Sequence, residues 1–314
     1  MKKIFFAMMA TAALASCSQD EVMDINQNAI QFGKGFVDNI ARAVDNTYGN
    51  GEGQTALTSF NVYGTVSGTM QNGGTVNIFN GDAVTGNVGE DEWSCTNTQY
   101  WIPKANYNFA AVVDGTVASK DTYNMPLTLT TIADTKTTNN SNLKDMLYSE
   151  ATVTNATATQ VPVNFTFNHL LSKVQFTVSS NATGGYYHSV KNIQVENFET
   201  GTYTINDTTW VGNKTKYIDF GNVEEVTVAE TAGKTNATQM LLVPNKNAFN
   251  VTFTVELYKN AALLGTESKT VTVDKDLLRG RAYDFNIACS VGNKIEFTVT
   301  NNPTWSTQPD VTVQ

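Results

Sequence analysis

"NVTFTVELY", residues 250–258, alternates with a period of two. Val251, Phe253, Val255 and Leu257 fall on one face, and Thr252, Thr254 and Glu256 fall on the other. A helix would scatter those apolar side chains around its circumference, whereas an extended strand with one buried face keeps them together. Similar segments recur: "SFNVYGTV" (59–66), "GTVNIFN" (74–80), "YNFAAVVDG" (107–115), "KVQFTVSS" (173–180) and "SKTVTVD" (268–274). Each is short, rich in β-branched and aromatic residues, and bounded by Gly, Asn, Asp or Thr clusters, the pattern of antiparallel sandwiches. Helix signals are few. The best short candidate is "SNLKDMLYSE", 141–150, where Ser141 or Asn142 can cap. No fixed short repeat appears, which argues against a solenoid or propeller.

With 314 residues the chain suits two domains, and both halves have the same strand-rich, turn-rich composition. The expected fold is therefore all-β, two tandem antiparallel β-sandwich domains of transthyretin or immunoglobulin type, divided near residues 168–173. Hydrophobic residues make up 41% and charged residues 16%, ample for packed cores. The net charge of −9 leaves no basic stripe to neutralise phosphates, so nucleic acid is not an expected partner. The three cysteines, Cys17, Cys95 and Cys289, lack metal-ligand spacing. Cys95 and Cys289 stand nearly a mature chain length apart and suit two buried free thiols better than a disulfide.

The N-terminus reads as an address. Lys2 and Lys3 precede the apolar run "IFFAMMATAA", too short to span a bilayer, and "LASC" (14–17) looks like the lipobox of bacterial lipoproteins. Residues 1–16 are then a signal peptide, Cys17 the lipid attachment site, and 17–28 an acidic linker resembling surface-export tags. The N-terminal sandwich would occupy 29–172 and the C-terminal one 173–314.

Catalytic patterns are missing. His169 and His188 have no Cys or Asp at ligand spacing, and neither a nucleophile elbow, a zincin helix, a P-loop nor an EF-hand loop is present. The expectation is a protein that is not an enzyme and carries no metal or cofactor. Trp93, Tyr100 and Trp101 in "DEWSCTNTQYWIP" allow a sugar-stacking platform, which is the alternative function of a glycan-binding surface lipoprotein; packing in a sandwich core is the plainer reading.

"VPVNFTFNHLLSKVQFTV" (161–178) resembles the segment joining the two domains in fimbrillin-like proteins, the type V pilins and their minor subunits. "AIQFGKGFVDNIARA" (29–43) resembles their first strand followed by an arginine processing site, and "LLRGRAYDFNIA" (277–288) resembles their C-terminal turn and strand. The short "DTT" at 207–209 is similar to an O-glycosylation signal of surface proteins in such bacteria.

The resemblance implies a fimbrial subunit of the cell surface, serving adhesion, exported as a lipoprotein to the outer membrane and cut by an arginine-specific surface protease. The cut would fall between Arg42 and Ala43, and Arg42 is the only arginine among the first 278 residues. It would release the strand 29–40, in which Ile30 and Phe32 face the core and Phe36 and Val37 are further candidates. Partners would be other copies or related pilin subunits, whose strand fills the opened groove. The incoming strand is expected from the tail "WSTQPDVTVQ", with Trp305 as anchor and Val311 and Val313 alternating; a plain last strand would read the same way. Likewise, a surface cation would account for Arg42 without processing.

Overall fold

The computed structural model describes residues 28–33, 36–37, 57–68, 73–86, 93–131, 144–157, 161–230, 233–235, 240–292 and 295–302. Eighteen strands lie among them, with no α-helix and no helix long and apolar enough to cross a membrane. Cys17, Arg42, Ala43, Trp305, Val311 and Val313 lie outside the described residues.

The first sheet runs, in spatial order, β1 (Phe36–Val37), β9 (Thr166–His169), β8 (Leu147–Val153), β5 (Asn106–Val113), β2 (Ser59–Ser67), β3 (Thr75–Thr85) and β4 (Ser94–Cys95). A second joins β13 (Lys234–Thr235), β10 (Ser172–Ser180), β17 (Ala282–Cys289) and β18 (Glu296–Asn302), with β14 (Met240–Leu242) also on β10. The third joins β16 (Ala262–Val273), β15 (Phe249–Lys259), β11 (Tyr186–Thr204), β7 (Pro126–Thr131) and β6 (Gly115–Lys120), with β12 (Thr209–Val226) also on β11.

The second and third sheets face each other across a core to which β10 gives Val174, Phe176 and Val178. β17 adds Phe285 and Ile287, and β15 adds Val251, Phe253 and Val255. The opening stretch thus becomes β15, with Val251, Phe253 and Val255 inward as the alternation requires, while Leu257, at a register shift in the pairing with β16, is only half-buried. Two pairings depart from the antiparallel rule: β1 with β9, and β10 with β17. Between β10 and β17 the chain crosses to the third sheet and back twice, returning antiparallel to β10 at β13 and β14 and parallel at β17. A parallel neighbour needs a crossover of this kind, since no tight hairpin can supply it.

From Phe109 onward β5 is buried on both faces. Tyr107, Phe109 and Ala111 enter the core of the first sheet. Ala110 and Val112 enter a third cluster with Leu129, Leu170, Leu171 and Tyr203, where the sheets meet. That is why "FAAVV" (109–113) reads as a continuous apolar run instead of an alternation, while Asn106 and Asn108 before it are exposed. The hairpin β6–β7 precedes residues 168–173, yet β7 pairs with β11 through Tyr203↔Leu129.

The helix expected at 141–150 does not form over its described part. Leu147 begins β8, opposite Val113, with Leu147 and Ser149 buried on one face. The spacing of Leu143, Met146 and Leu147 imitates a helical stripe, but an open edge of β5 offers seven paired residues, and tertiary pairing overrides weak propensity.

Cys95 and Cys289 are free, Cys95 half-buried and Cys289 buried. Burial pushes the Cys289 thiol up to about 12. At pH 8 it should therefore resist iodoacetamide in the folded protein and be labelled fully once the chain is unfolded in urea; labelling at equal rates in both states would contradict this packing.

Candidate functional site

Residues 28–33 form a ribbon laid into the first sheet. On one side the Ile30 amide donates to Gln99 O at 2.7 Å, the Trp101 amide to Asn28 O at 2.8 Å and the Trp93 amide to Phe32 O at 2.9 Å. On the other, the Val163 amide donates to Gln31 O at 2.8 Å and the Gly33 amide to Val163 O at 3.0 Å. Even-numbered residues bond one neighbour and odd-numbered residues the other, as in any extended strand inside a sheet. The ribbon continues as β1, whose Phe36 and Val37 pair in parallel with Thr166 and Phe167 of β9.

This placement closes the sheet. β1 is one edge of its strand order and β4 the other. The ribbon that ends in β1 also bridges Trp93 and Tyr100, on either side of β4. The ribbon thus lies between Val163, just before β9, and the segment 93–101 around β4, and pairs backbone N–H and C=O groups that would otherwise be free to recruit further strands.

Period-two alternation turns Ile30 and Phe32 inward, and both are buried, Phe32 at 0% exposure. Its ring lies 5.4 Å from that of Phe79, 6.0 Å from Phe109, 6.1 Å from Phe165 and 6.4 Å from Phe60. Three of these contacts are edge-to-face, the arrangement favoured by aromatic quadrupoles. Gly64 makes room for them: a Cβ there would lie 2.9 Å from both Phe109 Cδ1 and Phe79 Cδ2. Without residues 28–33, what remains is a phenyl-lined slot flanked by backbone groups of Trp93, Gln99, Trp101 and Val163.

The aromatic cluster serves the same core. Trp93 stacks on Phe60 at 5.6 Å and lies against Gly86, where a Cβ would come within 2.3 Å of its ring. Trp101 meets Tyr107 edge-on at 4.7 Å. Both indoles are buried and Tyr100 is exposed. A sugar platform needs ring faces open to solvent, and the two tryptophans have theirs covered by protein.

His169 Nδ1 lies 2.8 Å from Asp145 Oδ2, both side chains being almost wholly buried. His188 Nδ1 lies 2.7 Å from Ser180 Oγ, and burial lowers its pKa. Among the described residues no group of three His, Cys, Asp or Glu side chains could hold a metal ion.

A profile of fimbrillin-like proteins matches residues 41–303. The chain belongs to the fimbrillin-like family. No curated protein matches it. Among solved structures, a fimbrial protein from Bacteroides vulgatus superposes with a TM-score of 0.62 at 15% identity, over 88% of this chain and 99% of the other. A candidate cell adhesion protein from Bacteroides ovatus gives 0.52 at 15% identity, over 90% and 99%. Another from Bacteroides uniformis gives 0.50 at 17%, over 89% and 99%. At such identities the likeness is one of fold. Membership of the fimbrillin-like family supports a fimbrial subunit of the cell surface and assembly with other pilin subunits.

Proposed function

We propose that this fimbrillin-like chain is a structural subunit of an adhesive fimbria, exported as a lipoprotein on Cys17 and polymerised by donor-strand exchange. In this reading its N-terminal sandwich, residues 29–172, starts complete. A surface protease cuts between Arg42 and Ala43, the ribbon leaves, and a neighbouring subunit's strand, supplied by the tail with Trp305, Val311 and Val313, takes its place.

The observation that carries the reading is the ribbon's seat. A segment a few residues upstream of the lone early arginine is held by five backbone hydrogen bonds to two neighbours, and it plugs the core with Phe32. Burial of Ile30 and Phe32 is worth on the order of 3–6 kcal/mol in all. An occupant restoring both the side chains and the backbone bonds would be held about as firmly, and covalent removal of the old ribbon makes the replacement one-way.

The test is digestion of purified precursor with an arginine-specific protease. A product beginning at Ala43 that forms detergent-resistant ladders is expected, and Arg42→Ala should stay uncut at this site and monomeric. Deleting residues 305–314 should abolish ladders while leaving cleavage intact. Ladders from the Arg42→Ala chain, or a cut chain that never assembles, would refute the exchange.

A further inference from the structure

A second feature shares no lining residue with the ribbon's slot. A cavity of about 800 Å³ opens between the start of β12, the loop 244–247 and the turn 277–281. Lys246, Arg279 and Arg281 line it, and no carboxylate does among the described residues. In a chain of net charge −9 with three arginines in all, two of the three stand here.

The turn that presents them is firmly held. The Leu277 amide donates to Asn245 O at 2.7 Å and the Asn245 amide to Leu277 O at 2.9 Å. The Gly280 amide donates to Leu171 O, the Lys173 amide to Arg281 O, and Ser172 Oγ to Leu278 O, each at 2.8 Å. Tyr283 Oη accepts from the Leu278 amide and donates to Asp276 O. Gly280 has φ +63°, and a Cβ there would lie 3.2 Å from His169 O, so glycine is what lets the chain turn between the two arginines. Arg279 sits over the Tyr203 ring at 5.6 Å. Arg281 has its Nη1 buried with no acceptor among the described residues. Arg281 is half-buried and no carboxylate among the described residues lines the cavity beside it, so its charge is poorly compensated there and an anionic ligand would offset that cost.

The remaining walls narrow the class. Phe198 and Trp210 contribute ring surface, and the Trp210 N–H is already given to Leu170 O at 3.0 Å. Asn168, Asn245 and Asn247 add carboxamides, which both donate and accept. An acidic peptide would answer the cations but leave rings and carboxamides with little to do. A pyranose bearing a carboxylate answers all three: acid to the arginines, hydroxyls to the carboxamides, and its C–H face to an aromatic ring. We propose that this cavity binds an acidic saccharide residue, a uronic or sialic acid, as an adhesion subsite independent of strand exchange.

The test is titration calorimetry of the soluble mature protein with N-acetylneuraminic acid and glucuronic acid, beside glucose, inorganic sulfate and a peptide of residues 18–28. An acidic sugar should bind at least tenfold more tightly than glucose. Lys246→Gln with Arg279→Gln, both exposed positions, should weaken it by about tenfold or more at unchanged melting temperature. Arg281→Gln should do the same if it folds. No acidic sugar binding at about 10 mM, near the practical floor of weak recognition, would overturn the proposal. So would equal binding of glucose, undiminished binding in the exposed double variant, or binding of sulfate or the peptide alone.

Discussion

Replacing Phe32 by alanine will lower the stability of the uncut protein by about 3–5 kcal/mol, the usual cost of deleting a fully buried phenyl group, and its melting temperature by roughly 10 °C. The reason is local. Four phenyl rings converge on Phe32, and each is itself buried. Gly64 already lets Phe79 and Phe109 approach as closely as the backbone permits, so the walls have little freedom to collapse inward. Thermal unfolding of the purified precursor measures the effect. If the proposed cut after Arg42 removes the ribbon, the same substitution should change nothing in the cut, assembled material. A loss below about 1 kcal/mol in the precursor would mean that the neighbouring rings close over the hole.

Asp145→Ala comes next, with an expected loss of about 3 kcal/mol, typical for removing one partner of a buried pair. Asp145 precedes β8 and His169 ends β9, two strands paired through Leu147↔His169, so their 2.8 Å contact pins the point where the chain leaves the first sheet for β10. Asp145→Asn keeps an acceptor in place and should cost about 1 kcal/mol, the scale of a single hydrogen bond. Urea unfolding of both variants checks the order; equal losses would show that the oxygen facing Nδ1 contributes little.

How much of this could be read in advance depended on how each strand is buried. β15 has one face in the core and one in water, so its alternation declares both fold and register. β12 is nearly as long as β11 but lies along a sheet margin and exposes most of "TWVGNKTKYIDF", so no apolar period marks it. β8 was masked by a run whose spacing also suits a helix. In the ribbon, Ile30 and Phe32 were legible because a strand's inward residues are apolar and adjacent in sequence. The neighbours they touch come from 60, 79, 93, 109 and 165, and only folding assembles them. The cationic cavity was harder still, drawing on five separated segments. Its one sequence trace was two rare arginines flanking a glycine in "LLRGRAY".

The seam where the ribbon joins both margins of the first sheet has a bearing on timing. While that seam is shut, the backbone groups of Trp93, Gln99, Trp101 and Val163 that face it are already paired and offer a second precursor nothing to grip. Under the processing proposed at Arg42, growth would be governed by a chemical event at one peptide bond and hardly at all by abundance, so a cell could stockpile subunits on their way outward without risking filaments in the wrong compartment.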